Sequence, residues 1–260
     1  MDVVLPISVF FGIEGLFIGS FLNVVIDRLP EGKNLGGRSS CDYCKRTLSI
    51  FELIPILSYA FQKGKSACCK TQLKIQYSLI EATTGILFFL STYLFLSSYS
   101  TWSPNIIGAI ISILIMISAS IVIIMIDFRH HIIPDSMQLT LFIGVIAYHL
   151  FSNSLQVTII GEALVVALPI LLLYLVTGGK GMGYGDIKLQ MSLGLLLGII
   201  KGCIGLYIGF IIGAVYGMIL IIFRKAGRKS HIAFGPFLLF GAWISFWWGD
   251  ILLQYIRMMF

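Results

Sequence analysis

The sequence predicts an all-α, polytopic integral membrane protein, with about eight transmembrane helices and a small polar segment after the first. Of its 260 residues, 58% are hydrophobic and only 12% are charged, and this charged fraction is about half of that in a typical soluble protein. A spanning helix needs about 20 apolar residues, and the apolar runs leave room for seven or eight. A large extramembrane domain, a soluble Rossmann or barrel enzyme and a secreted disulfide scaffold are therefore excluded.

Eight apolar runs are the candidate membrane spans. The fourth and sixth are short, so each could also be a re-entrant segment or a helix deep in a bundle. The first contains Glu14 and Asn23 and is not followed by a small-residue cleavage site, so we expect it to stay as a span and not to be removed as a signal peptide. The runs cover residues 4–26, 78–98, 104–126, 137–152, 156–177, 187–200, 203–223 and 232–256.

The positive residues predict the orientation of these helices. If all eight runs cross the bilayer, 16 of the 18 Lys and Arg residues fall on one side, including nine in segment 28–76 and four in 224–229. Only Lys201 and Arg257 fall on the other side. Because cytoplasmic loops carry an excess of Lys and Arg, we expect both termini outside and segment 28–76 in the cytoplasm. The basic charge thus reports orientation, and no nucleic-acid partner is expected.

Two acidic residues stand at the ends of apolar runs, where a charge is costly. Asp127 closes the third run and Asp186 opens the sixth, and the predicted topology places both at the cytoplasmic face. Two nearby carboxylates cannot both ionise, so one can take a proton from water while the other gives one to a scissile carbonyl. The pair predicts peptide hydrolysis without a covalent intermediate. The alternative is that both residues are interfacial anchors.

Five glycines precede Asp186, at positions 178, 179, 181, 183 and 185. Glycine lets a backbone approach an extended substrate closely, so Gly183 and Gly185 are predicted to bind substrate. A plain flexible loop is the alternative. The chain has no G-x-S-x-G elbow, H-E-x-x-H motif or P-loop, so no other catalytic motif competes with the aspartates.

These residues resemble the prepilin peptidases (type IV leader peptidases), a family of GxGD-type intramembrane aspartic proteases. The signature Gly183-x-Gly185-Asp186 lies within a longer similar block, residues 181–189. The likeness covers nearly the whole chain in order. Its other blocks are 19–30, Cys41-x-x-Cys44, Ile54-Pro55-x-Leu57-Ser58-Tyr59, Tyr77-x-x-x-Glu81, Ile126-Asp127-x-Arg129, Pro134-Asp135 and Phe234-Gly235-Pro236.

The resemblance implies a substrate and a site. The substrate would be a prepilin or pseudopilin, cut after a leader glycine at the cytoplasmic face of the bacterial plasma membrane, with Asp127 and Asp186 as the catalytic aspartates. Glu81 could hold substrate or take part in methyl transfer. Many members also N-methylate the new amino terminus with S-adenosylmethionine, which would make the chain bifunctional, although the residues show no motif for that step. The pathway, whether type IV pili, protein secretion or DNA uptake, stays open.

Four of the five cysteines lie in segment 28–76, namely Cys41, Cys44, Cys68 and Cys69. Cytoplasmic thiols stay reduced, and a C-x-x-C pair there is typical of a tetrahedral zinc site. The resemblance implies two C-x-x-C pairs, but Ser66 stands where the partner of Cys69 would be. Cys68 could substitute, although adjacent ligands strain a tetrahedron, so a zinc site and a loop with spare thiols are both open.

The main rival function is a transporter, because broken helices with glycines and acidic residues near the middle of the membrane can form ion pathways. The acids of a transporter are expected in the middle of helices, whereas Asp127 and Asp186 are expected at helix ends.

The sequence is predicted to divide into three parts. These are a first transmembrane helix (1–27), a cytoplasmic cysteine-containing segment (28–76) and an aspartic protease core (77–260).

Overall fold

The computed structural model describes residues 3–41, 43–98, 103–156, 158–223 and 232–259. The basic residues counted at 224–229 lie outside these ranges. The helices are α1 (Val4–Arg28), α2 (Leu57–Phe61), α3 (Ile75–Ser97), α4 (Pro104–His130), α5 (Asp135–Phe151), α6 (Thr158–Thr177), α7 (Tyr184–Ile222) and α8 (Gly235–Met259), with a 3-10 helix at Ile50–Leu53.

Six of the helices in the described part are long and apolar enough to cross a membrane: α1, α3, α4, α6, α7 and α8. Helix α5 is also apolar but has only 17 residues. The predicted all-α, polytopic fold is therefore confirmed. The chain packs as two compact units, Met1–Val122 and Ile123–Phe260, and α4 runs through the boundary between them. The three-part division predicted from the sequence stays a prediction.

Helix α7 has 39 residues, but it is broken at Gly198, where φ is 70° and ψ is −177°. An unbroken helix of this length would extend about 58 Å, nearly twice the roughly 30 Å hydrocarbon thickness of a bilayer. Gly194 and Gly202 flank the break by four residues each, and both lie against Val166 of α6. The chain therefore reverses at Gly198, and α7 has two arms, as the two runs predicted there indicated, although the break lies inside the run predicted at 187–200 and not in the gap after it.

In the unit Met1–Val122, α1 packs against α3 through small residues. A Cβ on Gly15 would lie 2.9 Å from the Cα of Gly85, and one on Gly19 would lie 2.8 Å from the Cα of Glu81. Membrane helices have little hydrophobic drive to associate, so close backbone approach supplies the van der Waals contact that holds them together. This packing fixes the end of α3 that carries Glu81.

In the unit Ile123–Phe260, the second arm of α7 packs antiparallel to α8. Gly205 faces Gly241, and Gly209 faces Phe237, four residues earlier on α8. At the far end of α8, the Lys201 ammonium pairs with Asp250 at 2.7 Å. The near end of α8 is thereby held beside the end of α4, where the candidate site forms.

Gly241→Ala is expected to destabilise this unit. The new methyl group would overlap the carbonyl oxygen of Gly205, so the two helices must separate, and overpacking of this kind costs about 1–3 kcal/mol. Thermal unfolding of the purified protein in detergent measures the loss. Gly161→Ala is the matched control, because its Cβ would meet no atom within 4 Å. Equal melting temperatures for the two variants would contradict the packing.

Candidate active site

Asp127 lies in the last turn of α4, close to the start of α8. Its side chain is buried, with 4% of its surface exposed. Its Oδ2 accepts a hydrogen bond of 3.1 Å from the backbone N–H of Gly235. A buried carboxylate needs such a donor, because an unpaired charge in an apolar surrounding is very costly. The contact joins positions 108 residues apart, so only the tertiary fold creates it.

Asp186 lies in the first turn of α7 and is also buried, with 7% exposed. Its Oδ2 accepts a 2.9 Å hydrogen bond from the backbone N–H of Gly183. The carboxylate thus satisfies one of the unpaired donors at the start of the helix, where the positive end of the helix dipole also favours a negative charge. Both aspartates are held in the same way, by one glycine N–H each.

The structure brings the two aspartates together. The side chain of Ile133, in the linker from α4 to α5, touches both glycine positions: a Cβ on Gly185 would lie 3.2 Å from Ile133, and one on Gly235 would lie 3.1 Å from it. The ends of α4, α7 and α8 therefore meet around one side chain. Asp127 is close enough for its negative charge to repel that of Asp186. This is the arrangement that a carboxylate dyad requires.

Two further contacts hold the start of α7, and sequence reasoning missed both. The Gln138 side chain donates a 2.7 Å hydrogen bond to the carbonyl oxygen of Gly185. Lys188 forms a 2.7 Å ion pair with Asp135, at the beginning of α5. Both contacts link positions about 50 residues apart, so no local spacing could have indicated them. They position the loop beside Asp186.

The glycine loop adopts backbone conformations that other residues disfavour. Gly178 and Gly179 have φ values of 58° and 76°, in the left-handed region that glycine enters at little cost. Gly183 is exposed and Gly185 half-buried. Substrate binding by Gly183 and Gly185 stays a prediction, and the structure adds a local role for Gly183 as the donor to Asp186.

Glu81 is buried in the unit Met1–Val122. Its Oε2 accepts a 2.8 Å hydrogen bond from the backbone N–H of Ile56, and the Ser20 hydroxyl also bonds to the carboxylate. Ile56 has a φ of 60°, an unfavourable value for a β-branched residue. Glu81 therefore anchors a strained turn of segment 28–76 to the membrane helix α3, and its role towards substrate stays a prediction.

The cysteines of segment 28–76 form one cluster. The ligand atoms of Cys41, Cys44, Cys68 and Cys69 all lie within 4.8 Å of one another. Cys41 Sγ is 3.7 Å from Cys69 Sγ, and Cys68 Sγ is 3.8 Å from Cys69 Sγ. Four thiolates around zinc, with bonds of about 2.3 Å, stand about 3.8 Å apart. The donor set therefore fits a tetrahedral zinc ion, and the adjacent pair Cys68 and Cys69 can belong to it.

The cluster is built from two loops of the same backbone design, 25 residues apart. In the first, the N–H of Cys41 donates to the carbonyl of Arg46, and in the second the N–H of Ser66 donates to the carbonyl of Thr71. Each loop is closed by one β-bridge, Ser40 with Thr47 and Lys65 with Gln72. Ser66 thus occupies in the second loop the place of Cys41 in the first, and Cys68 supplies the fourth thiol from a different position.

Hydrogen bonds to sulfur favour the thiolate at Cys41 and Cys69. At Cys44 the backbone N–H of Arg46 acts in the same direction, but the Cys68 thiol, desolvation and the other thiols together outweigh it and raise the pKa to about 11. The backbone N–H of Cys44 and the Ser66 hydroxyl lower the pKa of Cys41 to about 6. The Thr71 hydroxyl and its N–H lower the pKa of Cys69. The thiolate is the form of cysteine that binds metal. The fifth cysteine, Cys203, lies on α7, away from the cluster residues in sequence and outside their unit.

Comparison with known proteins assigns the family. Residues 13–95 match the model of the bacterial peptidase A24 N-terminal domain, and residues 114–218 match that of the type IV leader peptidase family. The chain is 31% identical over 267 residues to a prepilin leader peptidase/N-methyltransferase of Stutzerimonas stutzeri, covering 91% of this chain and 89% of that protein.

The chain belongs to the type IV leader peptidase family. Proteins of the same description in Pseudomonas aeruginosa and Neisseria gonorrhoeae are 32% and 31% identical to it, and the matches cover 91% and 89% of this chain and 88% and 87% of those proteins. No solved structure matches the chain. The resemblance inferred from the sequence is confirmed.

The candidate residues are distributed between the two regions that match family models. Asp127 and Asp186 both fall in the type IV leader peptidase match, whereas Glu81 and the four clustered cysteines fall in the N-terminal match. The family is one of aspartic proteases, so membership agrees with a dyad at helix ends. The positions of the aspartates in the last turn of α4 and the first turn of α7 do not suit the mid-helix acids of a transporter.

Gly235→Ala is expected to impair catalysis more than folding. Its Cβ would lie 2.8 Å from Asp127 Oδ2 and 3.1 Å from Ile133, so the carboxylate must move away from its N–H donor. Loss of one positioned hydrogen bond of about 1.4 kcal/mol lowers a rate about tenfold. Cleavage rates in detergent, measured beside the control Gly161→Ala, test this. A wild-type rate in Gly235→Ala would show that this N–H does not position Asp127.

Proposed function

We propose that this chain is a prepilin leader peptidase that cuts type IV prepilins or pseudopilins after a leader glycine, with Asp127 and Asp186 as its catalytic dyad. The observation that carries the proposal is the meeting of two buried aspartates at helix ends, each held through Oδ2 by a glycine N–H. The names of the relatives, prepilin leader peptidase/N-methyltransferase, supply the substrate class.

The dyad would act on a water molecule placed between the two carboxyl groups. Because the charges repel, the pair holds one proton between them. The ionised carboxylate takes a proton from water as the water attacks the scissile carbonyl, and the protonated one gives its proton to the carbonyl oxygen. The carboxyl group that took the water proton then gives it to the amide nitrogen, and the other takes a proton back from a hydroxyl of the intermediate as the C–N bond breaks and the new amino terminus leaves. The glycine N–H groups keep Oδ2 of each aspartate fixed, so Oδ1 of each is the oxygen that we assign to the water.

The substrate would lie along the glycine loop that precedes α7. We include Gly183 and Gly185 as contacts for an extended substrate backbone, because no Cβ there would hold it away. Glu81 would also contact the substrate, as the resemblance to the family implies. Through its hydrogen bond with the Ile56 N–H, Glu81 could also affect cleavage without touching the substrate, because this bond holds segment 28–76 close to the start of α3.

We also propose that the chain N-methylates the new amino terminus, as the names of its relatives state for those proteins. S-adenosylmethionine would supply the methyl group. Zinc is proposed for the cluster of Cys41, Cys44, Cys68 and Cys69, where it would hold the two loops together without taking part in hydrolysis.

The proposed orientation places the dyad at the cytoplasmic face of a bacterial inner membrane, with both termini outside. It is supported by the excess of Lys and Arg on the side of segment 28–76. The leader of a prepilin would then be cut before it leaves the cytoplasm.

Asp127→Asn and Asp186→Asn are each expected to abolish cleavage of a coexpressed prepilin, because each removes ionisation with little change in volume. Mass analysis of the amino terminus of the prepilin measures the product. Glu31→Gln is the matched control and should cleave like the wild type, since Glu31 is exposed, pairs with Lys33 and lies in the unit Met1–Val122. Substantial cleavage by either dyad variant would exclude a two-carboxylate mechanism.

Metal analysis tests the cysteine cluster. The wild-type protein is expected to hold one zinc ion, which Cys41→Ser, Cys68→Ser and Cys69→Ser should each lose, while Cys203→Ser should keep it. The double variant Ser66→Cys/Cys68→Ala should regain the metal, because it moves the fourth thiol to the place in the second loop that matches Cys41. Wild-type protein that is active and free of metal would refute the zinc proposal.

Labelling with a membrane-impermeant maleimide tests the orientation. In a Cys203→Ser background, Gln156→Cys, between α5 and α6, is expected to react in intact cells, whereas Lys33→Cys should raise labelling above that of the parent only after lysis, when the exposed Cys44 can also react. Both positions are exposed, so accessibility differs only through the membrane. The opposite pattern would overturn the proposed topology.

A further inference from the structure

Segment 28–76 exposes large apolar side chains to an unusual degree. Ile50, Phe51 and Phe61 have 83%, 80% and 84% of their surface exposed, and Leu57 has 53%. Single exposed apolar residues are common on protein surfaces, but a group of this size on a short polar segment indicates a surface that is covered by something else.

These four residues belong to two short helices that contact each other. Ile50 and Phe51 begin the 3-10 helix Ile50–Leu53, and Leu57 and Phe61 lie one turn apart on α2, so the latter two share a face of that helix. We call these four residues the Ile50–Phe61 surface. The turn between the helices is bound to α3 through the hydrogen bond from Ile56 to Glu81, which keeps the surface close to a membrane helix.

The charge around this surface is strongly positive. Segment 28–76 contains nine Lys and Arg residues and three acidic residues, a net charge of +6 that equals the charge of the whole chain. Two of its acidic residues, Glu31 and Glu52, already pair with Lys33 and Arg46. Arg38 lines a cavity with Ile50, and Lys63 follows α2. Aromatic and aliphatic side chains among basic residues are typical of segments that lie in the interface of anionic membranes.

The segment is also held at the membrane by both of its ends. It begins where α1 ends, at Arg28, and it ends where α3 begins, at Ile75, and both helices are long and apolar enough to span. Because both ends are anchored in the bilayer, the segment always lies near the lipid, and its effective concentration at the membrane surface is high. A small apolar surface is therefore enough for it to dock. A partner from solution would have no such advantage.

We propose that the Ile50–Phe61 surface inserts into the anionic lipid surface of the bilayer that α1 and α3 cross. The apolar side chains enter the interfacial region, and the surrounding Lys and Arg side chains contact lipid phosphates. This docking holds the two short helices, Ile50–Leu53 and α2, against the membrane. It depends on the spans α1 and α3 and is independent of the peptidase chemistry.

Photo-crosslinking tests the occupant of the surface. Full-length protein with p-benzoylphenylalanine in place of Phe51 or Phe61 is reconstituted into vesicles of phosphatidylcholine with phosphatidylglycerol, irradiated and analysed by mass spectrometry. Lipid adducts are expected as the main product at both positions. The same probe at Tyr43, an exposed aromatic residue in the first cysteine loop, is expected to give at least fivefold less.

Other adducts would overturn the proposal. Crosslinks to the unit Ile123–Phe260 would show that the chain itself covers the surface, and crosslinks to added prepilin in preference to lipid would show that it binds substrate. These outcomes leave the cleavage assay unaffected, so a failure here is distinct from a failure of the proposed function.

A charge reversal tests the anionic part of the proposal. Arg38→Glu/Lys63→Glu should lower the yield of lipid adducts severalfold in vesicles that contain phosphatidylglycerol, and it should have little effect in phosphatidylcholine alone. An unchanged melting temperature serves as the folding control. Equal yields for the parent and the variant in anionic vesicles would refute recognition of the lipid charge.

Discussion

The burial of two carboxylates at the ends of membrane helices is the constraint on which this structure depends. A carboxylate in an apolar surrounding is tolerated only where a donor meets it, and here glycine N–H groups meet both: Gly235 donates to Asp127 and Gly183 to Asp186. The ends of α4, α7 and α8 must therefore converge. Ile133 contacts both glycine positions, and Gln138 donates a hydrogen bond to the carbonyl of Gly185.

Convergence at the site is made possible by close packing elsewhere in the same unit. The break at Gly198 reverses α7, so its second arm returns along α8 and meets it through Gly205 and Gly241. Glu162 lies at the break and accepts a hydrogen bond from the N–H of Ile199, at the start of the second arm. This arrangement determines where α8 begins, and hence where the Gly235 N–H lies relative to Asp127.

The unit Met1–Val122 also combines close packing at glycines with a buried acid that accepts a backbone hydrogen bond, but here the acid anchors the polar segment. Glycines bring α1 against α3, and a buried acid at their interface, Glu81, binds a backbone N–H of the polar segment. The segment carries two loops of one design, and the replacement of a cysteine by Ser66 is matched by Cys68, whose Sγ lies 3.1 Å from that of Cys44. The thiol count is thereby kept at four although the second loop departs from the first.

The sequence by itself determined the fold class, the family and the identity of the candidate residues. Long apolar runs indicate which residues lie in the membrane, and acidic residues at their ends indicate functional positions, because a charge there is costly. Both signals can be identified from neighbouring residues in the sequence. The gap between the runs 187–200 and 203–223 predicted two helices, but the reversal lies at Gly198, inside the first of these runs. Only the tertiary structure decided which groups these residues contact. Asp127 accepts a hydrogen bond from Gly235 and Glu81 accepts one from Ile56. Cys68, and not residue 66, supplies the fourth thiol of the cysteine cluster. These contacts join distant positions through single backbone donors or single sulfur atoms, which leave no periodicity in the sequence, because their geometry is set by how closely the helices pack.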